Sequence, residues 1–440
     1  MESLAQWLEH QYPRAATAML ASISPVQLLK TRAGFGQSVR ASRGAIVASP
    51  ILAAYDPDPD YFFHWYRDSA VVIDALRLLF AEGSVGAEAL GHFADFVRFS
   101  GSLRQLDGRA LVANPSWRER VAPDFTRFLR TDADLECAHG DAIAADTRVN
   151  PDGTLDISSW ARPQHDGPAL RALALMRWAR SAPLATELGG DLSALIRADL
   201  AFTARHWREP SFDIWEEEKG LHYYTLCVAA AALELGADWM MAGDCAQTAQ
   251  QYRSEVQAIR HTLDEFWLPE AGYYRSRVLS SEVPSTKELD IAVILAAIHA
   301  GLDGAHSVQD PRMHATLERL EALFDAAYPI NRNRDSQMAP AMGRYAGDVY
   351  YSGGAYYFST LGAAEFCFRA AAGANDARRW VEHGDAFLAT VRAFTPANGE
   401  MSEQFDQRSG AQSSARHLAW SYASFISCLS ARRAVIGMVQ

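Results

Sequence analysis

Apolar residues recur at helical spacing along nearly the whole chain, and in places they cover every side of the helix they mark. "YTLCVAAAALEL" (224–235) and "DIAVILAAIHA" (290–300) have no polar face wide enough for water. Helices of that kind need cover on two sides, which a single layer cannot give. Periodic runs fall at 67–83, 86–104, 165–181, 191–207, 219–239, 244–266, 286–301, 310–327, 354–372, 374–394 and 413–433. With the N-terminal segment they make about twelve helices. Strand-like alternation is scarce, the best candidates being "GYYRSRVLSS" (272–281) and "DVYYSG" (348–353). The count predicts an all-α fold, an (α/α)6 barrel of inner and outer helices with short β-hairpin or loop excursions. A helical solenoid also fits the count, but no fixed-period self-similarity supports one. The length of 440 residues suits one large barrel, and no Pro- or Ser-rich linker divides it, so residues 1–440 read as a single domain.

Polar, aromatic-rich loops stand directly before helices, at 55–69, 106–164, 211–220, 331–354 and 399–416. In a barrel of helical hairpins they gather at one end and can build one site. The net charge of −12 argues against a nucleic-acid partner. The 11 Trp and 16 Tyr serve the core first, yet flat apolar sugar faces also stack on such rings. Five cysteines show no metal spacing, and Cys227, Cys367 and Cys428 lie in apolar runs, as small buried hydrophobes do. With no signal-peptide pattern and no uninterrupted apolar span, no membrane partner and a cytoplasmic location are expected.

One stretch concentrates charge unusually. "DIWEEEKG" (213–220) sets three consecutive glutamates beside a tryptophan, with Asp213 just ahead. Charge on Asp213, Glu217 and Glu218, with the Trp215 ring excluding water, is the environment that raises a carboxyl pKa at Glu216. Glycoside hydrolysis needs such a group, protonated, paired with an ionised carboxylate. A plain helix start, where acidic residues meet the dipole favourably, explains the same stretch equally well on composition.

Five segments in order decide between these readings: "ASPILAAYDPDPDYFFHWYRDSA", "SSWARPQHDGPALRA", "DIWEEEKG", "MGRYAGDVYYSGG" and "SEQFDQRSGAQSSARHLAWSY". Together, across roughly residues 44 to 428, they resemble the glucoamylases of glycoside hydrolase family fifteen. The resemblance implies an (α/α)6 barrel with its site at the funnel end. It makes Glu216 the general acid, Glu403 the general base that activates water, and Tyr61 a holder of that water. Trp65, Arg67 and Asp68 match the residues gripping the terminal glucose. Trp160 and Arg162 match a further wall of the pocket, with Asp166 behind it. Glu217 and Arg344 resemble groups that bind the next sugar, and Trp215 and Trp420 pack around the two carboxyls. No metal or organic cofactor is implied.

The departures fall on one side of the pocket. Where fungal members read "GRYPEDxYYNGNPW", this chain has Ser352, Ala355 and Tyr356, and "WGRP" becomes "WARP", with His165 in place of an arginine. These changes sit where the leaving sugar goes. The expected activity is exo-acting, inverting release of glucose from α-1,4-linked glucans or maltooligosaccharides. An α-1,6-specific glucohydrolase, an α,α-trehalase and a non-catalytic sugar-sensing barrel stand as alternatives. No starch-binding module is recognised, so α-linked glucose oligosaccharides are the expected substrate partners, and the oligomeric state is open.

Overall fold

A computed structural model describes residues 2–54, 57–184, 188–243, 245–281 and 284–439. The start of the expected loop at 55–56 and the first residue of the expected helix at 244 lie outside the described residues. Fifteen α-helices are described. The long ones in chain order are α1 (Leu4–Leu20), α2 (Tyr66–Ala81), α3 (Glu88–Leu103), α7 (Asp166–Ser181), α8 (Gly189–His206), α9 (Tyr223–Ala242), α10 (Ala246–Asp264), α11 (Ala292–Ala300), α12 (Pro311–Ala327), α13 (Tyr357–Ala371), α14 (Ala377–Phe394) and α15 (Ala419–Val439). Three short helices, α4 (Arg109–Ala113), α5 (Asp132–Cys137) and α6 (Asp141–Ala144), sit between α3 and α7.

Packing sorts the twelve long helices into two rings. α2, α7, α9, α11, α13 and α15 touch one another in that order, and α15 returns to α2 to close the circle. α1, α3, α8, α10, α12 and α14 pack outside them. This is the (α/α)6 barrel that the periodicity predicts. Ring position explains composition: α9, α11 and α13 are buried nearly all round, whereas α10 and α12 bury one stripe. α9 is long and apolar enough to cross a membrane by length and composition, and its place in the inner ring accounts for that character.

Inner and outer helices alternate along the chain, so all six inner helices run the same way and their N-termini meet at one end. Short strands sew the loops of that rim together. β3 (His64–Trp65) pairs with β4 (Arg148–Val149). β5 (Ser211–Phe212), β6 (Lys219–His222) and β9 (Arg277–Leu279) form a second sheet, and β10 (Ala355–Tyr356), β11 (Gln404–Phe405) and β12 (Gln412–Ser413) a third. Two further hairpins are β1 (Leu29–Arg32) with β2 (Gln37–Arg40) and β7 (Trp267–Leu268) with β8 (Tyr273–Tyr274). Backbone N–H groups beginning an inner helix often donate to the loop that precedes the next one. Tyr66 donates to Thr147 O, Tyr223 to Ser276 O, Ile291 to Arg344 O, Tyr357 to Glu403 O and Ala419 to Ala48 O. Helix-end donors that would otherwise lack partners thereby tie the rim into a circle.

The structure differs from the sequence reading at several points, among them the late starts of α11 at Ala292 and α15 at Ala419. Residues 219–222, expected as helix, form β6, where Gly220 lies so close to Val278 that a Cβ would meet its carbonyl oxygen at 2.3 Å. Residues 348–353, expected as strand, are turns with Tyr351 and Gly353 in the left-handed region, and the strand begins at Ala355. The 106–164 stretch, expected as loop, packs Phe35, Trp117, Val121, Leu135 and Ile157 into a small core of its own.

Candidate active site

The β5–β6 hairpin presents Glu216 at its tip. Asp213 N–H donates to Glu218 O at 3.1 Å, Glu216 N–H to Asp213 O at 2.9 Å, and Glu217 N–H to the Asp213 carboxylate at 2.8 Å. Glu216 is held at φ +66°, a left-handed conformation that costs a non-glycine residue about 1–3 kcal/mol. The carboxylates expected to crowd it are each answered by a cation. Arg277, fully buried, spans Asp213 (2.5 Å), Glu218 (2.9 Å) and Asp290. Glu217 accepts from Lys287 Nζ (2.7 Å), Arg344 (3.1 Å) and the Tyr345 hydroxyl (2.6 Å). The Trp215 indole donates to Asp290 at 2.8 Å. The acidic run is thus one half of a fixed ion-pair network, not a free cloud of charge.

Glu216 itself faces inward. Its Oε1 accepts from Trp65 Nε1 (2.8 Å) and Arg67 (3.2 Å), and its Oε2 from Trp160 Nε1. Glu403, just ahead of β11, lines the same pocket. Ser414 Oγ donates to its Oε2, and the Tyr61 hydroxyl reaches its Oε1 at 3.4 Å while contacting the Tyr350 hydroxyl at 2.7 Å. Burial pushes the Glu403 carboxyl up to about 7; the Ser414 hydrogen bond and the Arg344 charge oppose that rise.

The floor comes from the first turns of the inner helices. On α2, Arg67 donates to Gln164 Oε1 at 3.1 Å and contacts Asp68 at 3.2 Å and Asp166 at 3.7 Å. Burial raises the Asp68 carboxyl against the pull of Arg67, and lifts Asp166 to about 6. Trp420 Nε1 is buried and makes no hydrogen bond among the described residues, and Asp68 Oδ2 has only its ion pair with Arg67. Buried polar atoms rarely stay unpaired, and this floor leaves an indole N–H without a partner among the described residues. Phe358 and Trp420 stack at 4.5 Å with an 8° tilt, giving the pocket an apolar side.

The cavity measures about 240 Å³. Tyr61, Trp65, Arg67, Asp68, Trp160, Trp215, Glu216, Glu217, Arg344, Glu403 and Trp420 all line it. Arg162 does not. It lies behind Trp160, bound to Asp146 (2.6 Å), Asp156 (3.1 Å) and Ser158 O (3.1 Å). Asp166 lies beneath, against Arg67. Sequence reasoning missed Tyr350, Gln164, Ser414, Lys287 and Arg277. Arg277 was legible in principle, because four neighbouring carboxylates demand a buried cation and "GYYRSRVLSS" offers one.

The family model for glycosyl hydrolases family 15 matches residues 147–382 and 379–430. The chain belongs to family 15. It is 30% identical to a probable glucoamylase of Schizosaccharomyces pombe, across 90% of this chain and 86% of that one. It is 25% identical to an intracellular sporulation-specific glucoamylase of Saccharomyces cerevisiae, across 99% of this chain and 85% of that one. The solved family 15 glucoamylase of Hypocrea jecorina superposes with a TM-score of 0.78 at 25% identity, covering 98% of this chain and 73% of that one. Family 15 membership makes the chain a glycoside hydrolase, and α-linked glucans its substrate class.

Proposed function

We propose that this enzyme is an exo-acting glucoamylase that removes glucose from non-reducing ends with inversion. The observation that carries the reading is the sharing of one small pocket by two carboxyl groups, Glu216 and Glu403, above an arginine–aspartate floor. The cavity of about 240 Å³ rests on that floor, which supports a reading in which the end of a glucan enters. Arg67 and Asp68 grip the hydroxyls of that sugar, the guanidinium donating and the carboxylate accepting.

Glu216 gives its proton to the departing glycosidic oxygen. To do so it must exchange one present partner for the substrate. Trp160, 43% exposed, is the partner free to move, whereas Trp65 and Arg67 are buried. Glu403 takes a proton from water, Tyr61 steadies that water, and attack comes from the face opposite the leaving group. Glu217 and Arg344 hold the leaving sugar at the pocket mouth. Soluble oligosaccharides are the proposed substrates and the cytoplasm the proposed location. The relative named intracellular supports that placement, as do five cysteines that all remain free thiols.

Proton NMR during the first minutes of maltose hydrolysis tests the mechanism. β-Glucose should appear first; an initial α-anomer would mean retention and a different role for Glu403. Isomaltose and trehalose, run beside maltose, should be cleaved more slowly.

A further inference from the structure

Behind Trp160 a second cavity of about 330 Å³ opens to solvent, lined by Arg130, Cys137, Ala142, Trp160, Arg162 and Pro163, among others. Its basic wall is the end of a ladder of alternating buried charges. Arg130 donates to Asp146 at 3.2 Å, Asp146 accepts from Arg162 at 2.6 Å, Arg162 donates to Asp156 at 3.1 Å, and Asp156 accepts from Arg148 at 2.9 Å. Within the ladder three guanidiniums share two carboxylates, a surplus of one positive charge that only the field of Asp134 offsets.

The two ends differ. At the inner end Arg148 is covered by rings, lying over Trp160 at 3.6 Å, Phe63 at 4.1 Å and Trp65 at 4.7 Å. At the outer end Arg130 is buried, its Nε has no hydrogen-bond partner, and its remaining contact is Asp134 O at 3.4 Å. The Asp134 carboxylate, which also borders the cavity, makes its hydrogen bonds to the Thr131 N–H (3.2 Å) and hydroxyl (2.7 Å) of its own helix cap and acts on Arg130 only through its field. Burial pushes the Arg130 guanidinium toward its neutral form and Arg162 adds to that push, while Asp146 and Asp156 oppose it. A buried charge without full pairing is costly, and an oxyanion is the ligand that relieves it.

We propose that this groove binds a small oxyanion, a phosphate or a carboxylate, on Arg130, and that occupancy adjusts the catalytic acid. The route is short. An anion at Arg130 draws on the ladder that positions Arg148 beneath Trp65 and Trp160, the two indoles that donate to Glu216. The effect on hydrolysis rests on the role proposed above for Glu216; the binding does not.

Cys137 supplies an independent probe, since it is exposed and lines the groove. Inorganic phosphate, and acetate in a parallel series, should slow alkylation of Cys137 saturably at constant ionic strength set with chloride. The stronger of the two identifies the class of oxyanion. Arg130→Met should weaken that protection by about tenfold or more, as loss of a charged partner does. Because Arg130 is buried, Ala142→Glu serves as a second variant: Ala142 is exposed on α6, and the new charge repels an anion without touching the ladder. Absence of saturable protection in the wild type, or identical protection in Ala142→Glu, overturns the site. Protection without any change in the maltose kcat overturns the coupling alone. A chain that protects Cys137 but cleaves no α-glucoside leaves the site standing and sinks the proposed function instead.

Discussion

A carboxylate that takes a proton from water must be ionised, and Glu403 sits where burial favours its neutral form. Its folded-state pKa of about 7 lies above the ordinary 4.5. Folding therefore stabilises the protonated group, a contribution fully present below about pH 4.5 and lost as pH rises through about 7. At pH 8 the buried anion costs on the order of 3 kcal/mol. Glu403→Gln should accordingly melt higher than the wild type at pH 8, by a margin that vanishes near pH 4. The same variant should lose about 10²–10⁴-fold in kcat. Glu216→Gln should lose as much activity, with no comparable gain in melting temperature. Calorimetry at the two pH values together with steady-state rates checks both; equal melting curves at pH 8 would refute the burial argument. For the wild type, kcat/KM should fall as pH drops through about 7, where the base takes up its proton.

At the scale of elements, the hairpin carrying Glu216 depends on a strand from another loop. Arg277, on β9, pairs with Asp213, Glu218 and Asp290 at once. Arg277→Met would leave several buried carboxylates unpaired, a cost of about 3–5 kcal/mol. It should also slow catalysis, because the left-handed turn at Glu216 is braced by Asp213. Thermal unfolding and kcat should fall together; a stable variant with lowered activity would assign Arg277 to the chemistry itself. This dependence explains what the sequence could and could not tell. Helices were legible because burial on one or two sides writes a period into the residues, as in α9 and α11. The motif residues Glu216, Glu403 and Arg67 were legible because the loops that hold them are contiguous. Lys287 and Ser414 were not, since each meets its carboxylate across a loop or a turn with no local signature. Arg162 misled for the same reason: two residues from Trp160, it points the opposite way, into the charge ladder.

The whole molecule is a closed circle, and α15 is the member that closes it, touching both α13 and α2. Ending the chain at residue 418 would strip both neighbours of their cover and remove Trp420 from the pocket floor. Such a truncation should fail to unfold cooperatively and should collect in the insoluble fraction. A soluble product with a sharp calorimetric transition would show that five inner helices suffice.

The bond from Ala419 N–H to Ala48 O carries a consequence for how the protein is made. It joins the last inner helix to the loop that introduces the first, so a ribosome exposes a barrel with two raw edges until α15 has emerged. Open apolar edges of that kind are where nascent chains stick to one another. Long-range closure is also slow compared with helix formation. The pocket thus comes into being in a single late step, when α15 swings into the gap. A cell that hurries translation or runs short of chaperones would lose yield of this enzyme before any residue of its site had failed.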